Sequence, residues 1–474
     1  MTDAPLMLSV SGCRGIVGRS LTPETAARFA GAFAGWLNDR YGPGQRLVLA
    51  RDGRAGGESI HAAALAGLTG AGCHVTDLGI AMTPTAGVMV DRLACRAGMV
   101  VTASHNPQQW NGLKCLLADG GREPSAAAPP KAAADEIIAR FQAGRPGLVE
   151  WSLLGRVERC NTHDQDHVEI VISALEELLG GPCDALGEGR SFVLDSVNAS
   201  GVIAGPLMLE ALGVDEILHL GGEPTGLFPH PPEPIRENLT GLSEAVRESG
   251  AAAGFAQDPD ADRLAIVDEI GNYIGEEFTL ALGALAVLEA LGDRARGCVL
   301  ATNLSTSRML EDIAARFGAS VVRTPVGEAN VVEAMKAHRS VIGGEGNGGV
   351  IWPAVTYIRD SLSAMALVTA LLRRTGKPLS ELVGSIPAYA IEKRKVDLPS
   401  RDAAEPAVRA VTRAYAAARI DTQDGVRVDW LEDRAWLHVR ASNTEPIMRL
   451  IAEAPTLEKA RAILDDASRV IAEG

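Results

Sequence analysis

Aromatic side chains are scarce in this sequence, 4% of 474 residues, and positive charge is outweighed: 45 Lys and Arg face 60 Asp and Glu, for a formal net charge of -15. That excess disfavours nucleic acid and anionic membrane surfaces as partners, because electrostatic capture of either requires a basic face. A small anionic substrate fits only where arginines gather locally against the average. Long apolar runs are missing too: the longest uncharged one, Phe278 to Leu288, falls short of the roughly 18 to 20 residues that cross a bilayer. The opening MTDAPLMLSV carries Asp3 and no basic residue ahead of its short apolar stretch, which is not a signal peptide, so a cytoplasmic protein is expected. The seven cysteines are odd in number and include no Cys-x-x-Cys pair, the usage of reduced thiols.

What is present is 46% hydrophobic residues, many of them Ala, Val and Leu, a composition suited to helices packed on buried parallel strands. At roughly 100 to 200 residues per domain, the length calls for three or four units. Short Val/Ile/Leu runs alternate with Ala-rich stretches of helical spacing, the pattern of βαβ units. Residues 46–50, 73–78 and 97–102 read as strands, with helices at 58–68 and 85–93 between them, and a loop begins at Ser104. A Pro/Ala-rich stretch at 124–131 precedes a helix near Ala133, and a boundary is expected near 150. The second unit holds strands at 191–194 and 251–256 and a helix at 202–212, and 263–275 reads as a hairpin. A third run of strands and helices opens at Glu277 and ends near Ala388. The remainder, with strands at 391–396, 426–428 and 435–439 and a final helix at 457–471, is α+β. The class is α/β, in four units: 1–150, 151–272, 273–388 and 389–474.

Four segments carry chemistry. TASHNPQQWNGLK, residues 102–114, leaves the carboxyl end of a buried strand, where open α/β sheets hold ligands. Its Ser, His, Asn and Pro are ordinary turn residues, so a polar turn is one reading. The other is a nucleophile at Ser104, next to His105 and ahead of Lys114, since a serine hydroxyl needs a base or a metal to activate it. Asp258-Pro-Asp-Ala-Asp-Arg263 sets three carboxylates at alternate positions after a strand, a spacing that lets them converge on one hard cation. A solvated strand face is the competing reading, and Pro259 with the apolar flanks argues against it. An EF-hand loop does not fit: its sixth position, which requires glycine, is Arg263, and a strand follows rather than a helix.

Gly343 to Gly349, GGEGNGG, contains G-x-G-x-x-G, yet VIWP follows and no helix starts there, so dinucleotide binding is rejected. With Glu345 and Asn347 among its glycines, the loop either suits close approach to a polyhydroxyl ligand or is a flexible turn. RASNTEPIMR, residues 440–449, places Arg440 and Arg449 with Ser442, Asn443 and Thr444 in a turn between strands. These are the guanidinium, hydroxyl and amide groups that hold a phosphate dianion, a structural loop being the alternative. Arg14 in SVSGCRGIVG and Arg51-Asp-Gly-Arg54 add arginines beside glycines, and single arginines of this kind read as surface residues.

In this order and at these separations the segments resemble the α-D-phosphohexomutase family, which comprises phosphoglucomutases, phosphomannomutases and phosphoglucosamine mutases, over essentially the whole chain. TASHNP with NGLK is similar to the family's phosphoserine loop, DPDADR to its metal loop, GEGNGG to its sugar-recognition loop and RASNTEPIMR to its phosphate-binding loop. The resemblance implies four domains around a central cleft, three related α/β domains with mixed sheets and a C-terminal α+β domain, each supplying one loop. It implies an intramolecular phosphotransferase of the isomerase class, interconverting hexose 6-phosphate and hexose 1-phosphate through phosphorylated Ser104 and a bisphosphate intermediate, with hexose 1,6-bisphosphate as activator. One Mg²⁺ would be held by Ser104, Asp258, Asp260 and Asp262, with Arg263 neutralising the transferring group.

By the same resemblance, Lys114 and Arg14 match positions near the reacting oxygens, as proton-transfer and charge-stabilising groups, while His105 shapes the loop. Gly327 and Glu328, in TPVGEANV, face the sugar with Glu345 and Asn347, and Arg440, Ser442, Asn443, Thr444 and Arg449 hold the phosphate that is not reacting. Many members carry a serine and a terminal histidine in the sugar loop, where this chain has Asn347 and Gly349. SVSGCRGIVG with LTPE, and the GEGNGG loop, look most like archaeal-type phosphoglucosamine mutases, so glucosamine 6-phosphate is the expected substrate and mannose or glucose phosphates the alternative. The implied partners are small hexose phosphates, with no nucleic acid or membrane, in a monomer or homodimer. A metal-dependent sugar phosphatase would share the serine and cation but has no need of the Arg440 loop. A non-catalytic sugar-phosphate sensor would need neither Ser104 nor three carboxylates.

Overall fold

The computed structural model describes residues 5–441 and 447–473. Four sheets follow one another along the chain. The first has seven strands in the order Met7–Ser9, Gly12–Ile16, Trp110–Leu117, Ala97–Val101, Arg46–Arg51, His74–Ile80 and Val157–Arg159. The last four of these are mutually parallel, and the remaining pairings are antiparallel. Every residue of Ala97–Val101 is buried, as expected of a central strand covered by helices on both faces. Helices Pro23–Tyr41, Gly57–Gly70 and Lys131–Gln142 cover one face and Thr83–Arg92 the other. The strand Val157–Arg159 extends this sheet beyond the boundary expected near residue 150.

The second sheet is ordered Leu264–Asp268, Ala253–Gln257, Ser191–Asp195, Glu216–Leu220, and the third Ser320–Thr324, Val299–Asn303, Ile342–Glu345, Gly349–Ile351. Each is parallel except for one antiparallel edge strand, so both are mixed. Helices His163–Leu179, Gly201–Ala211, Glu276–Leu291 and Ser361–Thr375 pack between these two sheets in a single core that includes Phe192, Phe255, Leu282 and Leu367. Asp360 starts the last of these helices, accepting hydrogen bonds from Leu362 N and Ser363 N at 3.0 Å each, a cap worth about 1 kcal/mol. Among the described residues no helix is long and apolar enough to cross a membrane.

The fourth sheet is wholly antiparallel: Ala390–Asp397, Ile447–Ala454, Ala435–Ala441, Val426–Trp430, Arg419–Asp421. Alternation gives its strands two faces. Val428, Leu437, Leu450 and Ala452 pack on helices Ala404–Ala414 and Leu457–Glu473, while Lys393, Lys395, Arg440 and Arg449 face the centre of the molecule.

One feature of this topology gathers the motifs. In the first three sheets a buried strand turns through a hairpin into an antiparallel neighbour, at 102–109, 258–263 and 346–348, and in the fourth the antiparallel neighbours Ala435–Ala441 and Ile447–Ala454 flank residues 442–446, which lie outside the described residues. Each of the four chemistry-bearing segments lies at or across one of these four strand pairs.

A loop is expected to begin at Ser104, in a motif that runs to Lys114, whereas Trp110–Leu117 is a strand with both faces covered. Asn111-Gly112 has the composition of a turn, but Gly112 answers to close packing: a Cβ there would lie 2.4 Å from Cys13 O and 2.7 Å from Thr102 O.

Candidate active site

Ser104 is positioned by three side chains below its loop. Asp52 accepts from Thr102 Oγ1 and from Arg54 Nε, each at 2.8 Å, and Thr102 Oγ1 accepts from the Ser104 amide at 2.8 Å. The rest of the buried Arg54 guanidinium donates to the main-chain oxygens of Ser104, Asn106 and Trp110. Arg54 is therefore an internal clamp, which corrects its sequence reading as a surface residue. The clamp holds Ser104 at φ 50°, a left-handed conformation uncommon outside glycine, and Ser104 Oγ lies 3.0 Å from Asp258 Oδ2 and 3.3 Å from His105 Nδ1. Burial, with Arg263 and Arg14 adding to it, brings the His105 imidazole down to about 4, so it is neutral at pH 7.

Asp258, Asp260 and Asp262 have no exposed surface, and one carboxylate oxygen of each lies within 4.8 Å of the others. Thr83 holds this loop from the first unit: its amide donates to Asp260 O at 2.9 Å and its hydroxyl to Asp260 Oδ2 at 2.6 Å. Burial raises Asp258 well above the usual carboxylate range, and Asp260 and Asp262 push it further. Burial pushes Asp262 upward too, but Arg359, Lys114 and Arg263 together outweigh it and hold that carboxylate well below its ordinary value. Asp260 Oδ1 and Asp262 Oδ1 are buried with no hydrogen-bond partner among the described residues. An unsatisfied buried acceptor costs about 1–3 kcal/mol or more, and a hard divalent cation satisfies several carboxylate oxygens at once. The donor set fits such an ion.

Cations ring the triad. Lys114 Nζ lies 2.8 Å from Asp262 Oδ2 and 3.6 Å from Asp260 Oδ2. Burial opposes its charge, but Asp262, Asp260 and Glu328 outweigh burial and raise it, so Lys114 is held as an ammonium. Arg14, on the strand beside Lys114, is lowered by burial and supported by Asp260 and Asp262. Arg263 donates its amide to Asp258 Oδ1 at 3.1 Å and places Nε 3.9 Å from Asp262 Oδ1.

In the sugar loop, Glu345 Oε1 accepts from Asn303 Nδ2 at 2.8 Å and Oε2 from Arg359 Nη1 at 3.2 Å. Asn347 Oδ1 is buried without a partner among the described residues. Gly327, at φ 127°, opens the helix Glu328–His338, and Glu328 Oε2 lies 3.3 Å from Arg359 Nε. Arg359 went unnoticed in the sequence. Its only signal is an Arg-Asp pair ahead of the helix Ser361–Thr375, in which the Asp is recognisable as a cap and the Arg is not.

Arg440 and Arg449 are directly opposed on neighbouring strands, and Lys395 opposes Arg449 on its other side. Three like charges in a row are unfavourable without an anion. The row therefore marks an anion-binding face. Asp424 Oδ2, 3.2 Å from Arg440 Nε, offsets part of it. Lys395 was missed because EKRK reads as a solvated strand. Ser442, Asn443 and Thr444 lie outside the described residues. A cavity of about 740 Å³ joins these pieces: His105, Glu233, Glu345, Asn347, Arg440 and Arg449 line it, so all four units contribute.

Comparison with known proteins agrees with this geometry. Four family descriptions match in succession: phosphoglucomutase/phosphomannomutase alpha/beta/alpha domain I at residues 7–144, domain II at 183–271, domain III at 276–389, and the C-terminal domain at 393–470. The chain is 36% identical to a phosphoglucomutase/phosphomannomutase of Thermococcus kodakarensis, over 98% of this chain and 97% of that protein. It is 35% identical to a probable phosphoglucosamine mutase of Methanopyrus kandleri, over 96% of this chain and 95% of that one. The crystal structure of a phosphoglucomutase/phosphomannomutase family protein from Burkholderia thailandensis superposes with a TM-score of 0.83 at 26% identity, covering 98% of both chains. The chain belongs to the phosphoglucomutase/phosphomannomutase family of phosphohexomutases, enzymes of the isomerase class.

Proposed function

We propose that the enzyme interconverts glucosamine 6-phosphate and glucosamine 1-phosphate, with phosphorylated Ser104 as the phosphoryl donor and acceptor. The observation that carries this reading is the 3.0 Å approach of Ser104 Oγ to Asp258 Oδ2, next to His105, which lines one cleft together with the opposed pair Arg440 and Arg449. A mutase needs two phosphate positions, one reacting and one held. The amino sugar is favoured by the name of the Methanopyrus kandleri relative and by the sequence of the sugar loop.

The free hydroxyl of a sugar monophosphate attacks the phosphorus on Ser104; the bond to Oγ breaks, the new sugar ester forms, and the hydroxyl proton passes by way of Lys114 to the departing Oγ. The resulting bisphosphate turns over in the cleft, and its other phosphate returns to Ser104. Lys114, held charged by Asp262 and Asp260, supplies charge and a proton to the departing Oγ. Arg14 and Arg263 stabilise charge beside it, and the Arg54 clamp keeps Oγ in place through both half-reactions. Asp258, Asp260 and Asp262, with the serine phosphate, would hold Mg²⁺, which when bound neutralises charge on the transferring group. Arg440, Arg449 and Lys395, with Ser442, Asn443 and Thr444 of the same motif, hold the idle phosphate, while Glu345 and Asn347 take sugar hydroxyls and, as the resemblance implies, Gly327 and Glu328 face the sugar with them. Hexose 1,6-bisphosphate primes the unphosphorylated enzyme. The cysteine usage, that of reduced thiols, supports a cytoplasmic location, and the family resemblance implies a monomer or homodimer.

Phosphorus NMR with Mg²⁺ and a trace of hexose bisphosphate, offering glucosamine 6-phosphate, mannose 1-phosphate and glucose 1-phosphate separately, tests this reading. Fastest conversion of the amino sugar is expected. Preference for mannose or glucose would reassign the substrate, and free phosphate from all three would refute a mutase.

A further inference from the structure

We propose that Arg359 is the positioning residue through which the sugar loop sets the cation affinity of the metal loop. This rests on reading Asp258, Asp260 and Asp262 as the cation site. Arg359, 8% exposed, divides one guanidinium among three carboxylates: Nη2 lies 2.7 Å from Asp262 Oδ2, Nη1 3.2 Å from Glu345 Oε2, and Nε 3.3 Å from Glu328 Oε2. Among the described residues Asp262 and Glu345 share no hydrogen bond of their own. Arg359 is their link.

The backbone fixes that link. Asp360, the next residue, caps the helix Ser361–Thr375, and Ser361 Oγ donates to Ala261 O at 2.8 Å, which ties the start of the helix to the metal loop. The side chain then passes over Gly349, where a Cβ would lie 2.2 Å from Arg359 Cδ. Here Arg359 occupies the space a side chain would need.

A guanidinium on Asp262 competes with a bound cation for the same carboxylate charge. Glu345 draws part of that guanidinium toward the sugar loop and so frees part of Asp262 for the cation. Neutralising Glu345 commits Arg359 more fully to Asp262 and weakens cation binding, although Glu345 is not a ligand in this reading. By reciprocity, an ion on the metal loop releases Arg359 toward Glu345 and stiffens the sugar-binding carboxylate.

Mn²⁺ affinity of the full-length, unphosphorylated protein, measured by electron paramagnetic resonance without substrate, tests the link. Glu345→Gln is expected to raise the Mn²⁺ Kd by roughly fivefold or more. In an Arg359→Gln background the same change is expected to move Kd by less than about twofold, because the connection is gone. Where Arg359→Gln does not fold, Arg359→Lys keeps the charge and loses the fork, and the same loss of dependence is expected. An unchanged Kd in Glu345→Gln, or an equal change in both backgrounds, overturns the proposal while leaving the cation site standing. A wild-type protein that binds no Mn²⁺ overturns both.

Discussion

Ser104 Oγ lies 3.0 Å from Asp258 Oδ2, although the two residues are 154 positions apart. The contact joins two hairpins from different sheets and sets the nucleophile candidate against a carboxylate that burial raises well above its ordinary range. Ser104→Ala is expected to lower kcat by on the order of 10⁴-fold or more, with circular dichroism unchanged, because the lost hydroxyl has no substitute in the loop. Wild-type turnover in that variant would contradict the mechanism.

Three carboxylates buried together repel one another when no cation is present. Chelation with EDTA is expected to abolish turnover and Mg²⁺ to restore it. Asp258→Asn is expected to raise the melting temperature of the EDTA-treated protein by about 2 °C or more while removing activity, since it deletes one of three like charges. Lower stability of that variant in EDTA would show that the triad is not repulsive.

Arg440 and Arg449 face each other across two strands, and an anion relieves their repulsion. Arg440→Ala is expected to raise KM for the sugar phosphate roughly 30-fold, about 2 kcal/mol, with a smaller effect on kcat. Steady-state kinetics checks this, and an unchanged KM would move the idle phosphate elsewhere.

Acid weakens the junction between the third and fourth units. His438 Nε2 meets Asp424 O at 2.7 Å and Nδ1 meets Ser305 Oγ at 2.8 Å. Burial, with Arg427 and Arg440 adding and Asp424 opposing, brings it down to about 4. Between that value and about 6.5 the unfolded chain binds more protons than the folded one, so stability is lost as pH falls through this window, by on the order of 3 kcal/mol at pH 4. Urea unfolding of wild type and His438→Gln at pH 7 and pH 4.5 is expected to shift in favour of the variant at the lower pH. A constant difference would contradict the assignment.

The sequence reading located residues whose chemistry is carried by local composition. Alternate aspartates after an apolar strand, and Ser-His-Asn-Pro at a strand end, are legible because the hairpins that hold them are contiguous. Arg54, Arg359 and Lys395 were not legible as functional residues. Arg54 acts on backbone oxygens brought near by a different hairpin, and Arg359 on carboxylates from three separate segments. Lys395 depends on strand register. Trp110–Leu117 was hidden by an Asn-Gly pair that serves close packing rather than a turn.

Labelling Ser104 tests the central claim most directly. The purified enzyme is incubated with Mg²⁺ and hexose 1,6-bisphosphate carrying radioactive phosphorus, digested, and its phosphopeptides mapped. The account predicts label on Ser104 and its transfer to sugar phosphate when glucosamine 6-phosphate is added. Label on another residue, no label at all, or a chase that yields only free phosphate would contradict it.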